Sequence, residues 1–298
     1  MKNWIQAARL RTLPLSVSGI IVGSSYAYYQ GFSDWRIVIL ALLTTLGLQI
    51  LSNFANDYGD GIKGTDANRI GEKRLVAAGI ITADQMKKAV IITAIFTFII
   101  ALLLIYVAFG KENFALSLIF ILLGMGSIGA AIKYTVGKSA YGYSGFGDLF
   151  VFIFFGWVSV IGSNFLFTHF IDWKLFLPAT SIGLLSVAVL NLNNMRDIEN
   201  DKIAGKNTLV VKMGLKWAKK YHEIILGIGM ICFMIFSIFT KTSTIPVLII
   251  NIPIIMHLGK VNKSTNYEDF DPELKKVALS TFALSILFWL FLCIIPDF

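Results

Sequence analysis

Apolar residues in this chain come in long, nearly unbroken runs separated by short polar stretches. Nine runs reach the roughly 17–25 residues that a helix needs to cross a bilayer: 14–30, 36–56, 88–108, 114–133, 149–168, 175–194, 223–240, 243–259 and 277–295. Pro246 and Pro253 interrupt the eighth, and proline is tolerated in membrane helices when neighbours re-satisfy the backbone. The pattern predicts an all-α, polytopic membrane protein with nine transmembrane helices, and 1–298 as a single domain. The first run follows Arg9 and Arg11 without a small-residue cleavage site, so it reads as a first span and not as a removable leader.

Composition agrees: 56% of residues are hydrophobic and only 15% charged, against about 25% charged in soluble domains. A net charge of +8 raises nucleic acid as a partner, but the placement of the charges removes it. With the N-terminus in the cytoplasm, 22 of the 26 Lys and Arg fall on inner segments and only Arg36, Lys111, Lys174 and Lys241 on outer ones. That is the positive-inside pattern of a cell-membrane protein, and it puts the C-terminus outside. Lys87 and Lys88 fit interface anchors, and Lys212, Lys216, Lys219 and Lys220 fit an amphipathic helix facing anionic lipid. Cys232 and Cys293 lie inside apolar runs, where they read as packing residues and not as a disulfide or thiolate site.

Two polar stretches at the ends of apolar runs carry the candidate chemistry. After the second run, Asn53, Asp57 and Asp60 recur at i, i+4, i+7 on one helical face, with Asn56 paired to Asp60 and Gln49 one turn earlier. After the sixth, Asn193, Asp197 and Asp201 recur at i, i+4, i+8, with Asn194 beside them. Carboxylates at the edge of a membrane helix are expensive and face a cavity or a partner. Both stretches fall on the same, inner side, so they are expected to face one cytoplasm-facing cavity. Oxygen donors of this kind suit Mg²⁺, which is bound by one or two carboxylates together with substrate phosphates. Four facing carboxylates amid basic residues imply a bridging anion, and diphosphate fits. Lys63, Arg69, Arg74, Lys133 and Lys206 are placed to contact it. Phe146, Phe150, Phe152, Phe154, Phe155 and Trp157 crowd the fifth run, a wall suited to an apolar tail and, through the ring quadrupole, to a carbocation.

This pair of Asn/Asp-rich stretches after runs two and six resembles the UbiA superfamily of intramembrane prenyltransferases, over nearly the whole chain. Arg11-Thr12-Leu13-Pro14, residues 53–66, 142–148 and 193–197, and Gly205-Lys206-Asn207-Thr208-Leu209 look like its 1,4-dihydroxy-2-naphthoate polyprenyltransferase branch, which serves menaquinone biosynthesis. One departure stands out: where many members carry a third acid, this chain has Gly64, with Asp66 two residues later. The resemblance implies a UbiA-type bundle and Mg²⁺-dependent transfer of a polyprenyl group from polyprenyl diphosphate to 1,4-dihydroxy-2-naphthoate, with decarboxylation. It implies Asp57, Asp60, Asp197 and Asp201 as catalytic and metal-holding residues, and Lys133 and Tyr134 beside the diphosphate or the cation. Arg11, Gln49 and Arg196 are three alternatives for holding the acceptor's carboxylate.

Other readings compete. A different aromatic acceptor, 4-hydroxybenzoate or haem, keeps the superfamily and changes the branch. An ion-coupled transporter also uses intramembrane Asp and Asn, but here the acids lie at helix ends and no inverted repeat is visible. The spacing of a calcium loop is missing. His169 and His257 read as packing or interface histidines, Asp84 follows the helix cap Thr82, and Asp148 is divided between a site and a local cap.

Overall fold

The computed structural model describes residues 1–64, 74–111, 113–137 and 139–293, and every regular element among them is helical. A short α1 (Lys2–Ala8) leads through a tight turn into α2 (Leu13–Tyr29), α3 (Trp35–Lys63), α4 (Ala83–Phe109) and α5 (Phe114–Lys133). Then come α6 (Gly147–Val151), a π-helical segment (Phe152–Val158) and α7 (Ser159–Thr168), which together form one rod. The chain closes with α8 (Phe176–Arg196), a short α9 (Ile198–Ile203), α10 (Leu209–Thr240), α11 (Ile245–Lys263) and α12 (Phe270–Cys293). Eight of these segments are long and apolar enough to cross a membrane. The first predicted span, α2, has 17 residues, at the short end of the spanning range.

Two boundaries differ from the sequence reading for local reasons. The second span continues as helix to Lys63, so the whole first acidic stretch is helical. It stops at Gly64, whose φ of 71° is open to glycine and whose N–H closes onto the carbonyls of Asp60 and Gly61. The seventh begins at Leu209 and not near 223, because the Thr208 hydroxyl caps it by accepting the Val211 N–H, and Gly214 (φ 76°) absorbs a kink between its polar start and its apolar body. The cap expected before α4 is a full capping box between Thr82 and Gln85.

The helix α8 sits innermost and packs on α2, α10, α12 and the π-helical segment. Its core partners include Val22, Phe233, Phe236 and Phe288. By contrast, α5 buries no residue completely and rests on α3 and α4. The π-helical segment meets α8 backbone to backbone: a Cβ on Gly156 would stand 2.5 Å from the Ala179 carbonyl oxygen and 2.8 Å from Gly183 Cα.

Polar pairs stitch the bundle away from the acidic stretches. At the far end, Tyr26 Oη and Gln30 Nε2 each donate to Asp172 at 3.2 Å, and Asn164 donates to Gln30 at 2.9 Å. His169 packs on Phe109 and ends α7. His257 is not a lone packing histidine: it lies 2.8 Å from His222, nitrogen to nitrogen, and 2.6 Å from Glu273, joining α10, α11 and α12. The histidines sit 35 residues apart and Glu273 a further helix away, a separation that local spacing does not reveal.

Gly156→Leu is expected to force α8 off the π-helical segment and to lower stability by about 1–3 kcal/mol, read as a reduced thermal midpoint of the protein in detergent.

Candidate functional site

A cavity of about 380 Å³ opens beside the two acidic stretches. Its mouth is polar, with Asn53, Asn56 and Asp60 from α3 facing Arg74, Asn193 and Lys206. Its floor is apolar, closed by Ala41, Leu104, Ile105, Phe120 and Leu166. From Asn56 to Ala41 the wall of α3 runs about 22 Å at 1.5 Å per residue. Along one side lie Tyr134, Tyr141, Phe150 and Phe154. The Tyr141 ring stacks on Phe150 at 4.0 Å and stands edge-on to Tyr134 at 5.3 Å. Burial, and secondly the neighbouring Tyr134, push the Tyr141 hydroxyl above the ordinary phenol range, so that ring stays neutral.

The two stretches meet through Tyr143, in the turn before α6. Its hydroxyl donates to Asp60 Oδ1 at 2.7 Å. Its ring carries Lys63 Nζ at 3.9 Å and Lys206 Nζ at 5.5 Å from the centroid, and Lys206 is 3.7 Å from Asp201. The Asn207 N–H donates to the Tyr143 carbonyl at 3.0 Å, which fixes the second loop to the same turn. Arg74 approaches the other oxygen of Asp60 at 3.5 Å.

Close packing around α3 fixes these positions. Gly59 lets the Thr135 backbone come near, and Gly61 does the same for Val76; a Cβ at either would meet side-chain atoms within 2.7 Å. The Thr135 hydroxyl then lies 3.0 Å from the Ala55 carbonyl and 3.1 Å from Asn56 Oδ1, while Lys63 donates to the Thr135 carbonyl at 2.7 Å. On the opposite edge, Asn53 donates to the Ala8 carbonyl at 2.9 Å, and Gln49 reaches Thr12 at 3.3 Å.

The expected ring of four carboxylates is not assembled among the described residues: no three Asp, Glu, His or Cys side chains gather closely enough to hold a metal by themselves. All four acids have protein partners instead. Asp57 is 1% exposed and accepts the backbone N–H groups of Leu75 and Val76, one on each oxygen at 3.1 Å. Asp197 is gripped by Arg196, with Nε and Nη2 at 2.8 and 2.9 Å. Asp60 is held by Tyr143 and Arg74, and Asp201 by Lys206. The oxygen donors that line the cavity, Asp60 with Asn56 and Asn193, suit a hard cation that completes its shell from a bound phosphate. They do not suit an all-protein cage.

The remaining candidates divide in the same way. Arg11 and Gln49 line the cavity. Arg196 does not: its side chain is 0% exposed and is held by Asp197, Asn193 and Asp271. Asn194 is buried within α8, and Lys133 is exposed at the end of α5, outside the lining. Asp148 accepts from Tyr221 at 3.1 Å, a link between helices. Arg69 and Asp66 lie outside the described residues. Sequence spacing missed Tyr143, Thr135 and Asp271, whose partners are distant in the chain; the run of small and aromatic residues at 142–147 was the signal for Tyr143.

The UbiA prenyltransferase family model matches residues 16–291. The chain is 48% identical over 241 residues to the 1,4-dihydroxy-2-naphthoate octaprenyltransferase of Escherichia coli (strain K12), covering 80% of this chain and 78% of that one. It is 41% identical over 300 residues to the Haemophilus influenzae protein of the same name, covering 99% and 96%. Among solved structures, the apo structure of a UbiA homolog from Aeropyrum pernix K1 matches with a TM-score of 0.71 at 17% identity, over 94% of this chain and 98% of that one. A UbiA homolog from Archaeoglobus fulgidus bound to GPP and Mg2+ matches with a TM-score of 0.64 at 15% identity, over 96% and 98%. At such identities these two speak to the fold.

Asp57→Ala strips two buried N–H groups of their acceptor, a loss of about 1–3 kcal/mol for each group left unsatisfied. Faster hydrogen exchange at residues 75–81 is expected, with the far-end helices unchanged.

Proposed function

The chain belongs to the UbiA prenyltransferase family, and on that premise we propose that it transfers a polyprenyl group from polyprenyl diphosphate to 1,4-dihydroxy-2-naphthoate. The C–O bond of the donor breaks and diphosphate leaves; the prenyl group takes the place of the acceptor's carboxylate, which departs as CO₂, and the product is a demethylmenaquinol. The relatives named above for this acceptor, at 48% and 41% identity, support the branch. The observation that carries the chemistry is the meeting of Asp60, Lys63, Lys206 and Asp201 around Tyr143, at the mouth of a long apolar cavity. A diphosphate needs the polar mouth and its prenyl tail needs the apolar floor.

Each residue then has a task. Asp60 with Asn56, and Asp201 with Asn193, would hold Mg²⁺ from the two sides. Bound there, Mg²⁺ neutralises charge on the diphosphate as it leaves. Lys63, Lys206 and Arg74 bind diphosphate oxygens directly, with Arg74 suited to two at once. Asp57 fixes the turn that follows Arg74, and Arg196 fixes Asp197 and Asn193. The Tyr134, Tyr141, Phe150 and Phe154 rings exclude water from the allylic cation and offer it their faces. Arg11, with Gln49 beside it, receives the acceptor's carboxylate. The distribution of Lys and Arg supports nine spans in the cell membrane, with the N-terminus and the cavity mouth on the cytoplasmic side.

The test is prenyl transfer in membrane vesicles given octaprenyl diphosphate, Mg²⁺ and either 1,4-dihydroxy-2-naphthoate or 4-hydroxybenzoate, with and without EDTA. Chelator-sensitive product and CO₂ from the naphthoate are expected. Product from hydroxybenzoate alone moves the branch, and product from neither contradicts the proposal. Asp60→Asn and Asp201→Asn are each expected to lower kcat by about 100-fold or more while inserting normally; wild-type rates in either would remove that residue from the site.

A further inference from the structure

Asp271 belongs to neither acidic stretch, yet it stands between two guanidiniums. One oxygen accepts from Arg196 Nη1 and the other lies 3.3 Å from Arg11 Nη1. The two contacts differ in kind. Arg196 is wholly buried and pairs with both Asp197 and Asp271, so separating it from Asp271 removes one of the two carboxylates that offset its burial. Arg11 and Asp271 are about a third exposed, at 30% and 31% of their side chains, and touch at one long contact. A contact of that kind is weak and exchangeable. Arg11 also lines the cavity, as does Leu274, one turn along α12 from Asp271.

We infer that Asp271 is a positioning residue that holds Arg11 in place until the acceptor's carboxylate takes it over. This rests on the acceptor proposed above. When that carboxylate arrives, it replaces Asp271 on Arg11. Asp271 keeps Arg196, so neither guanidinium loses its counter-charge during the exchange. An acceptor without a carboxylate leaves Asp271 on Arg11. Substrate entry is thereby linked, through Arg196, to Asp197 and Asn193 in the second acidic stretch.

The test measures binding to the full-length protein in nanodiscs by calorimetry, with 1-hydroxy-2-naphthoate as the carboxylated probe and 1-naphthol as its counterpart without the carboxylate. Asp271→Asn removes the carboxylate that competes for Arg11, and naphthoate is expected to bind about fivefold tighter, the scale of a part-exposed ion pair. Naphthol affinity stays the same. In an Arg11→Ala background, Asp271→Asn no longer tightens naphthoate binding. Asp271→Glu keeps the charge and returns naphthoate affinity to the wild-type value, which separates loss of charge from damage to the fold. Unchanged or weaker naphthoate binding in Asp271→Asn overturns the inference. So does equal tightening of naphthol, or tightening that persists without Arg11. Wild-type protein that fails to prefer naphthoate over naphthol contradicts the proposed acceptor itself, and this inference with it.

Discussion

A carboxylate at the end of a membrane helix must find partners within the protein, and Asp60 finds them from elements far apart in the chain. It is 2% exposed, accepts from Tyr143 in the turn before α6, and is approached by Arg74 from the turn before α4. Those turns are in turn held by Asp57, which accepts the Leu75 and Val76 amides, and by the Asn207–Tyr143 backbone bond. The polar end of the bundle is therefore one network, and the cost of burying its charges is offset only while all its members are in place.

The same requirement divides the acids by task. Asp57 and Asp197 lie one and four residues from candidate ligands but are occupied with backbone amides and with Arg196. They make the site rigid, and in the proposed function Asp60 and Asp201 are the acids that meet the substrate. Below them the cavity needs no further polar groups, and its wall is shaped by how closely helices approach. The Gly156–Gly183 contact draws the π-helical segment onto α8 and leaves Phe154 and Phe155 on the cavity wall. π-Helical turns commonly mark functional sites, and here two aromatic side chains of the segment line the cavity.

Much of this was legible in the sequence where the governing physics is local. Apolar length located the long helices, since a bilayer leaves the backbone few alternatives. The spacing grouped Asn53, Asp57 and Asp60 on one face and paired Asn56 with Asp60; of these, Asn53, Asn56 and Asp60 line the cavity and Asp57 does not. Spacing could not assign Asp57, because its partners are backbone amides 18 and 19 residues away. Nor could it find Asp271, whose partner Arg196 is 75 residues distant, or the π-helical segment, which shares its composition with ordinary helix. Arg196 sits inside the acidic stretch, and in the structure it is buried against Asp197 and Asp271 and does not line the cavity.

The central claim is that the two acidic helix ends act on one diphosphate. A double-mutant cycle on kcat/KM with Asp60→Asn, Asp201→Asn and the double variant tests it most directly. Groups that serve one bound species are strongly non-additive, so the account predicts a double variant little worse than the poorer single one. Losses that multiply in full would show two independent sites, and would contradict it.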